Sequence, residues 1–519
     1  MPPLTNDLRT QGSPRPESLP LVVWAVAAFH LLLHLATNGR YGIFRDEYYY
    51  LACADHLAWG YVDHPPLSIA LLAVQKALLG DSVHAIRILP GLAGAALIVL
   101  AAVLARELGG GRFAQGLAAL CVAIVPQYLV VTGFYSMNAL DLLFWAVSAL
   151  LVVRIVRTDD KHLWLLFGVV AGLGLLNKIS MLFFGAGLAV ALVLTPLRRH
   201  LLRPQIWLGG LVALAFFVPH IFWQVRNDWP TQEFIRNATR YKIADISPLQ
   251  FLLAQGTEIH PWNAPVWIAG LWFLLAGREG RRFRALGIIY LVALAVMALQ
   301  KSKPYYLGPA YPMLLAAGAV ALERWTAERP WLRFRPAVVA LLTLWGAVAA
   351  PLLVPLLPVE TLIAYQRTLG IKPAAAEKQA LGPLPQYFAD RFGWEELAQA
   401  VASVYDGLSQ DERRAATIVA GNYGEAGALR YHGRRYGLPP AVSQHNNFYL
   451  WGPGPGTGAV VIAVGIPIED VRDAFESVTV GPRIESPYAM PYETQRPILV
   501  CRGLKIPLAD AWRRGKRYI

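Results

Sequence analysis

Residues 84–105 read His84-Ala-Ile-Arg-Ile-Leu-Pro-Gly-Leu-Ala-Gly-Ala-Ala-Leu-Ile-Val-Leu-Ala-Ala-Val-Leu-Ala105, and Arg87 is the only Lys, Arg, Asp or Glu in the stretch. A helix crossing the hydrocarbon core of a bilayer needs about 20 such residues, so this run predicts a membrane span. Ten more apolar runs are read in the same way: Leu19–Thr37, Phe113–Val131, Leu140–Val153, Leu163–Leu176, Met181–Leu197, Ile206–Phe222, Pro265–Leu275, Leu286–Leu299, Tyr305–Leu322 and Pro336–Leu357. The whole chain of 519 residues is 55% hydrophobic and only 16% charged, against about 25% charged in soluble domains. Three cysteines, Cys53, Cys121 and Cys501, are too few for a disulfide scaffold.

The net charge of +13, from 47 basic and 34 acidic residues, would suggest nucleic acid in a soluble protein. Its distribution excludes that reading. Residues 1–359 hold 29 basic and 18 acidic residues, whereas residues 360–519 hold 18 and 16. Within the front part the surplus concentrates in Arg106–Arg112, Arg154–Lys161, Arg198–Arg203, Arg278–Arg284 and Arg324–Arg335, which alternate with the other connections. The positive-inside rule places all five in the cytoplasm. The expected organisation is a cytoplasmic tail (1–18), an inner-membrane domain of about 11 transmembrane helices (19–358) and a soluble extracytoplasmic domain (359–519). The first span reads as uncleaved, because the leader with Arg9 and Arg15 lacks a compact basic region.

On the outer side the first connection, Asn38–Val83, gathers Asp46, Glu47, Asp55 and Asp63 with His56 and His64. Ionisable groups at the mouth of an apolar bundle usually mark a substrate or ion path. A short helix from Asp46 to about Leu57 is expected at the membrane surface, its tyrosines in the interfacial aromatic belt. Adjacent acids also suit a helix N-terminus for dipole reasons alone.

The Asp46-Glu47 pair, the Asp63-His64-Pro65-Pro66-Leu67 turn, the Arg87-Ile-Leu-Pro-Gly-Leu-Ala-Gly start of the second span, and Asn177-Lys178 after the fifth resemble bacterial glycosyltransferase family 39. This is a GT-C group that includes protein O-mannosyltransferases and lipid A aminoarabinose transferases. The resemblance covers about residues 19–325. It implies inverting transfer of a sugar from a polyprenyl-phosphate donor to a lipid, protein or cell-wall glycan acceptor at the outer membrane face. Membrane lipids are the expected surroundings, and nucleic acid is not an expected partner. In the family the first acid of the pair is catalytic, which carries over to Asp46, with Glu47 assisting. Asp141 supplies the second acid expected at the start of the fourth span.

A departing lipid phosphate needs cations. Lys178, Lys301 and Lys303 stand at outer turns, the last two before Pro304-Tyr305-Tyr306, and Arg87 is a further candidate. Each could instead snorkel to lipid phosphates. Asp63, His64 and Tyr305 complete the expected substrate-binding set. Some relatives bind a divalent metal ion, for which Asp63 with His220 or His260 are the candidates here; His30 and His34 lack a nearby acid. The rival class is a transporter or flippase for a lipid-linked sugar, which would tend to show paired repeats.

The tail alternates helix and strand: helix Leu397–Leu408, strand Thr417–Ala420, helix Gly424–Tyr436, strand Ala459–Val464, helix Ile468–Phe475 and strand Ile498–Cys501. That pattern predicts an α/β domain. Gly452-Pro-Gly-Pro-Gly-Thr-Gly lacks the Lys-Ser/Thr ending of a phosphate loop and reads as a turn. Asn422, Glu425, His445 and Asn446 are candidates for gating or recognising the acceptor.

Overall fold

The computed structural model describes residues 18–327, 330–373 and 377–519. The leader with Arg9 and Arg15, and Glu328 and Arg329 of the fifth basic segment, lie outside the described residues. The chain folds as a polytopic helical membrane protein followed by an α/β domain.

Every one of the eleven apolar runs falls on helix. Among the described residues six helical stretches are long and apolar enough to cross a membrane: Val83–Glu107, Met137–Thr158, Pro204–Arg226, Gly280–Leu299, Pro304–Trp325 and Trp331–Leu353. A seventh is reached by counting Met181–Leu194 with Pro196–Leu202 across a 100° bend. The figure of eleven counts shorter helices as well, among them Leu21–Thr37, Leu163–Asn177 and Ala264–Leu275. The run 113–131 is broken in two at Pro126, which starts a new helix because it lacks an N–H to continue the old one. Leu67–Leu79, inside the expected outer connection, is also an apolar helix.

Pro304–Trp325 is buried along most of its length at the centre of the bundle, while Pro204–Arg226 and Trp331–Leu353 show most of their surface. Trp207, Leu211, Leu214 and Phe222 are exposed on the former, as expected for a face that lipid covers. The central helix crosses Ala264–Leu275 so closely that a Cβ at Gly318 would fall 1.8 Å from the Val266 carbonyl oxygen. Helices in lipid associate by this kind of small-residue packing.

The basic connections meet on one face. Arg157 pairs with Glu107, Arg203 with Asp159, Arg324 with Glu279, and Glu323 accepts from the Ala114 N–H at 3.0 Å. The opposite face collects Arg45–Ala54, the turns before Met137 and after Asn177, and Pro304–Ala310. The alternation read from charge is therefore also an alternation in space.

The tail contains a five-stranded sheet of order β2-β1-β3-β5-β4, with β1 Ala416–Ala420, β2 Val442–Ser443, β3 Val460–Val464, β4 Phe475–Arg483 and β5 Pro497–Leu504. β2, β1 and β3 run parallel, and β5 pairs antiparallel with β3 and β4. The expected helix to Phe475 ends at Arg472, and Phe475 opens β4. One face of the sheet packs on Trp394–Asp406 and Tyr423–His432.

The division at residue 358 is not a packing boundary. A single apolar cluster joins Tyr48, Tyr49, Tyr50, Cys53 and Tyr135 of the front to Trp394, Leu397, Ile418, Ala426 and Ile462 of the tail. The three tyrosines are therefore buried between the two parts, rather than lying in an interfacial aromatic belt. Contact is close because Tyr423–His432 presents glycines: a Cβ at Gly427 would fall 2.8 Å from the Tyr48 backbone carbon.

Candidate active site

At the start of Arg45–Ala54, Glu47 at the third helical position reaches back, its Oε2 accepting from the N-cap Phe44 N–H at 2.8 Å. One helical step earlier, Asp46 points the other way. Its Oδ1 accepts from the Tyr423 hydroxyl at 2.8 Å and lies 3.4 Å from Arg45 Nε. About a third of the Asp46 side chain remains exposed, so this carboxylate has free lone pairs.

Glu47 has none to offer. Both oxygens are taken by Arg87, at 2.9 Å from Nε and 2.6 Å from Nη2, and Oε1 also accepts from the Tyr135 N–H at 2.7 Å. Arg87 in turn donates to the Asn38 and Gly42 carbonyls. Both side chains are fully buried. The pair ties three outer segments together, so the structure shows neither Glu47 beside Asp46 as an assisting acid nor Arg87 open to a phosphate.

Arg45 had drawn no attention in the sequence, yet it is the hub of the site. Besides Asp46 it faces Asp390 Oδ1 at 3.6 Å, contacts the Tyr492 hydroxyl and packs over the Tyr423 ring. Burial works against its charge, and the surrounding carboxylates and phenols override that and keep it a cation. Burial likewise pushes the Tyr423 phenol well above its ordinary range, so it stays a donor. The one sequence signal of Arg45 is that it is a cation beside two acids on the outer side, where cations are few. Tyr423 and Asp390 carry no local signal that links them to residue 46.

A second polar group lies where Met137–Thr158 starts. Asp141 Oδ1 accepts from Ser180 Oγ at 2.6 Å, and its Oδ2 is 3.4 Å from Lys178 Nζ. Lys178 also donates to Asn138 Oδ1 at 2.8 Å and sits 5.0 Å over the Tyr306 ring. Asp141 and Lys178 are thus brought together as one ion pair.

Lys303 donates to Glu377 Oε1 at 2.6 Å, and Lys242 Nζ is 3.8 Å from the same oxygen. Burial alone would raise Glu377, but the two ammonium groups hold its carboxyl down to about 2. Lys303 sits over the Tyr305 ring at 5.9 Å. Lys301 is exposed and pairs loosely with Asp245 at 3.7 Å, apart from this group.

Asp63 Oδ1 accepts from the Tyr49 hydroxyl at 2.8 Å, and His64 is buried among the rings of Tyr49, Tyr50 and Tyr61. The metal candidates do not assemble. His220 Nδ1 bonds the Trp59 carbonyl at 3.0 Å, and His260 accepts from the Trp262 N–H in its own turn. Among the described residues no group of three or more His, Cys, Asp or Glu side chains converges. His30 and His34 share Thr132 Oγ1.

In the tail, Asn422 and Glu425 form a capping box that starts Tyr423–His432. Burial pushes His445 down to about 3; its Nδ1 accepts from the Tyr423 N–H at 3.3 Å. Asn446 bonds the Ile519 N–H. These residues set Tyr423 in place, and a cavity of about 820 Å³ opens beside them, reached by Arg45, Lys242, Tyr423 and Arg496.

The structure combines a helical membrane domain, an outer carboxylate and a docked α/β domain, and this fold recurs in solved structures. The fold matches that of ArnT from Cupriavidus metallidurans, bound to undecaprenyl phosphate and in the apo state, each with a TM-score of 0.60 over 92% of this chain and 97% of that one, at 16% and 17% identity. In sequence, residues 63–223 match the family described as dolichyl-phosphate-mannose-protein mannosyltransferase. The lipid A galacturonosyltransferase RgtD of Rhizobium johnstonii is 26% identical over 264 residues, 50% of this chain and 55% of that protein. The chain thus spans about half the length of that curated relative. These likenesses agree with the family-39 resemblance read from the outer motifs.

Proposed function

We propose that the protein is an inverting glycosyltransferase that moves a sugar from a polyprenyl-phosphate donor to an acceptor hydroxyl or amine at the extracytoplasmic face. The observation that carries this reading is Asp46: it is oriented by Tyr423 and Arg45 yet keeps free lone pairs, as a general base requires. The carboxylate takes the acceptor's proton as the acceptor attacks the anomeric carbon from the side opposite the phosphate. The C1–O bond to phosphate then breaks and the lipid phosphate leaves. Lys178, held by Asp141 and Asn138, and Lys303 and Lys242, sharing Glu377, supply cations for the developing phosphate charge.

The side bearing Asp46 lies opposite the basic connections, which supports an extracytoplasmic active site and a cytoplasmic N-terminus. RgtD is named for transfer to lipid A, so lipid-linked saccharides of the envelope are the first acceptors to try. The test is Asp46→Asn in purified full-length protein, supplied with polyprenyl-phosphate-linked labelled sugars and envelope glycolipids. Loss of transfer by at least about 100-fold is expected; undiminished transfer would overturn the reading.

A further inference from the structure

Arg45 is one guanidinium facing two carboxylates, and the second has no role so far. Asp390 follows the short helix Gln386–Ala389 in the tail, and its side chain is completely buried. Its backbone carbonyl accepts from the Arg45 N–H at 2.9 Å, so the two residues are tethered by main chain as well as by charge. Gln386 Nε2 donates to its Oδ2 at 3.2 Å. Among the described residues nothing donates a hydrogen bond to its Oδ1, which looks onto Arg45 Nη1 at 3.6 Å.

We infer that Asp390 is a positioning residue which, acting through Arg45, sets the base strength of Asp46. The inference rests on the assignment of Asp46 as the base. Buried carboxylates are stabilised chiefly by the cations they face, and a cation shared between two of them serves each less well. When Asp390 is ionised it draws the charge of Arg45 toward itself and leaves Asp46 the stronger base. When Asp390 is protonated, Arg45 is released to neutralise Asp46, and the acceptor's proton is taken less readily. The proton that Asp390 gains or loses is exchanged with solvent and is not the one transferred from the acceptor.

The other charged or titratable groups acting on Asp390 are Asp46, Glu377 and Glu493, and Tyr492, whose hydroxyl Arg45 contacts, lies within reach of the same charges. Burial, with those acids, pushes Asp390 up to about 7 against the pull of Arg45. The control therefore operates across neutral pH.

The experiment compares wild type, Asp390→Asn and Asp390→Glu as full-length protein in detergent, with kcat and donor KM measured from pH 5.5 to 9. Wild type should show a rise in kcat centred near pH 7. Asp390→Asn cannot ionise, so it should lose that rise and fall roughly 3- to 10-fold at pH 8 while donor KM stays within about twofold. Asp390→Glu should restore the rise. If Asp390→Asn only lowers thermal stability and scales activity equally at every pH, Asp390 is structural and the inference is overturned. Persistence of the wild-type profile in Asp390→Asn, with Asp46→Asn inactive, overturns the inference and leaves Asp46 as the base. Activity in Asp46→Asn overturns both.

Discussion

Tyr423 donates its phenolic hydrogen to Asp46 Oδ1 over 2.8 Å, although 377 residues separate them in the chain. The candidate base of the membrane domain is thus oriented by a residue of the soluble domain. A hydrogen bond to an ionised group contributes about 1.5 to 3 kcal/mol, so Tyr423→Phe should lower kcat by about tenfold or more. Removing a donor to the carboxylate also favours its protonated form, so the acid limb of the pH–rate profile should move to higher pH. Stopped assays with labelled donor across pH check both effects, and a profile unmoved in height and position would show that the bond is idle.

Glu47 and Arg87 should behave as structure. Breaking a fully buried ion pair by removing one partner costs about 3 to 5 kcal/mol. Glu47→Gln and Arg87→Met should therefore lower the melting temperature in detergent and the yield of folded protein. Whatever folds should keep a donor KM near that of wild type. A stable Arg87→Met protein with a strongly raised donor KM would instead place Arg87 at the phosphate.

Lys178 should act on the donor. Lys178→Ala is expected to raise donor KM by about tenfold, with Lys178→Arg closer to wild type because it retains the charge for phosphate oxygens. Equal effects of the two substitutions would point to anchoring at the membrane edge.

The Glu377 clamp carries a pH signature. Its carboxyl is held down to about 2, from an ordinary 4.5, by Lys242 and Lys303 against the effect of burial. A depressed carboxylate adds stability above its unfolded value and loses it as pH falls from about 4.5 toward 2. The full contribution is on the order of 3 kcal/mol. Glu377→Gln should lower the melting temperature at pH 7, and the gap from wild type should close toward pH 2. A gap that does not change with pH would remove charge as the cause.

Much of this was legible in the sequence for one physical reason: lipid allows few ways to satisfy a backbone, so long apolar runs can be read as helix and basic loops as one face. Asp46 and Lys178 stand out because ionisable groups are scarce on the outer side, and Asp141 because the family-39 resemblance expects an acid at the start of the fourth span. Side-chain partners were not legible. Asp46 and Glu47 are neighbours with identical local signals, and only the packing of Arg87 and Tyr135 against one, and of Tyr423 against the other, tells them apart. The tyrosines 48–50 read as interfacial because nothing local announces that a domain beginning over three hundred residues later covers them. β2, two residues long, and β4, mostly exposed, carry too little apolar pattern to be seen as strands.

The glycine face of Tyr423–His432 has a consequence for the order in which the site is assembled. The membrane helices are synthesised first, and at that stage Arg45 and Asp46 have no Tyr423, Tyr492 or Asp390 to meet. Only when the later segment has settled its glycines onto Tyr48 does Asp46 acquire these partners. If Asp46 is the base proposed above, a nascent or clipped chain would lack the partners that orient it, and transfer would wait until the two parts have assembled.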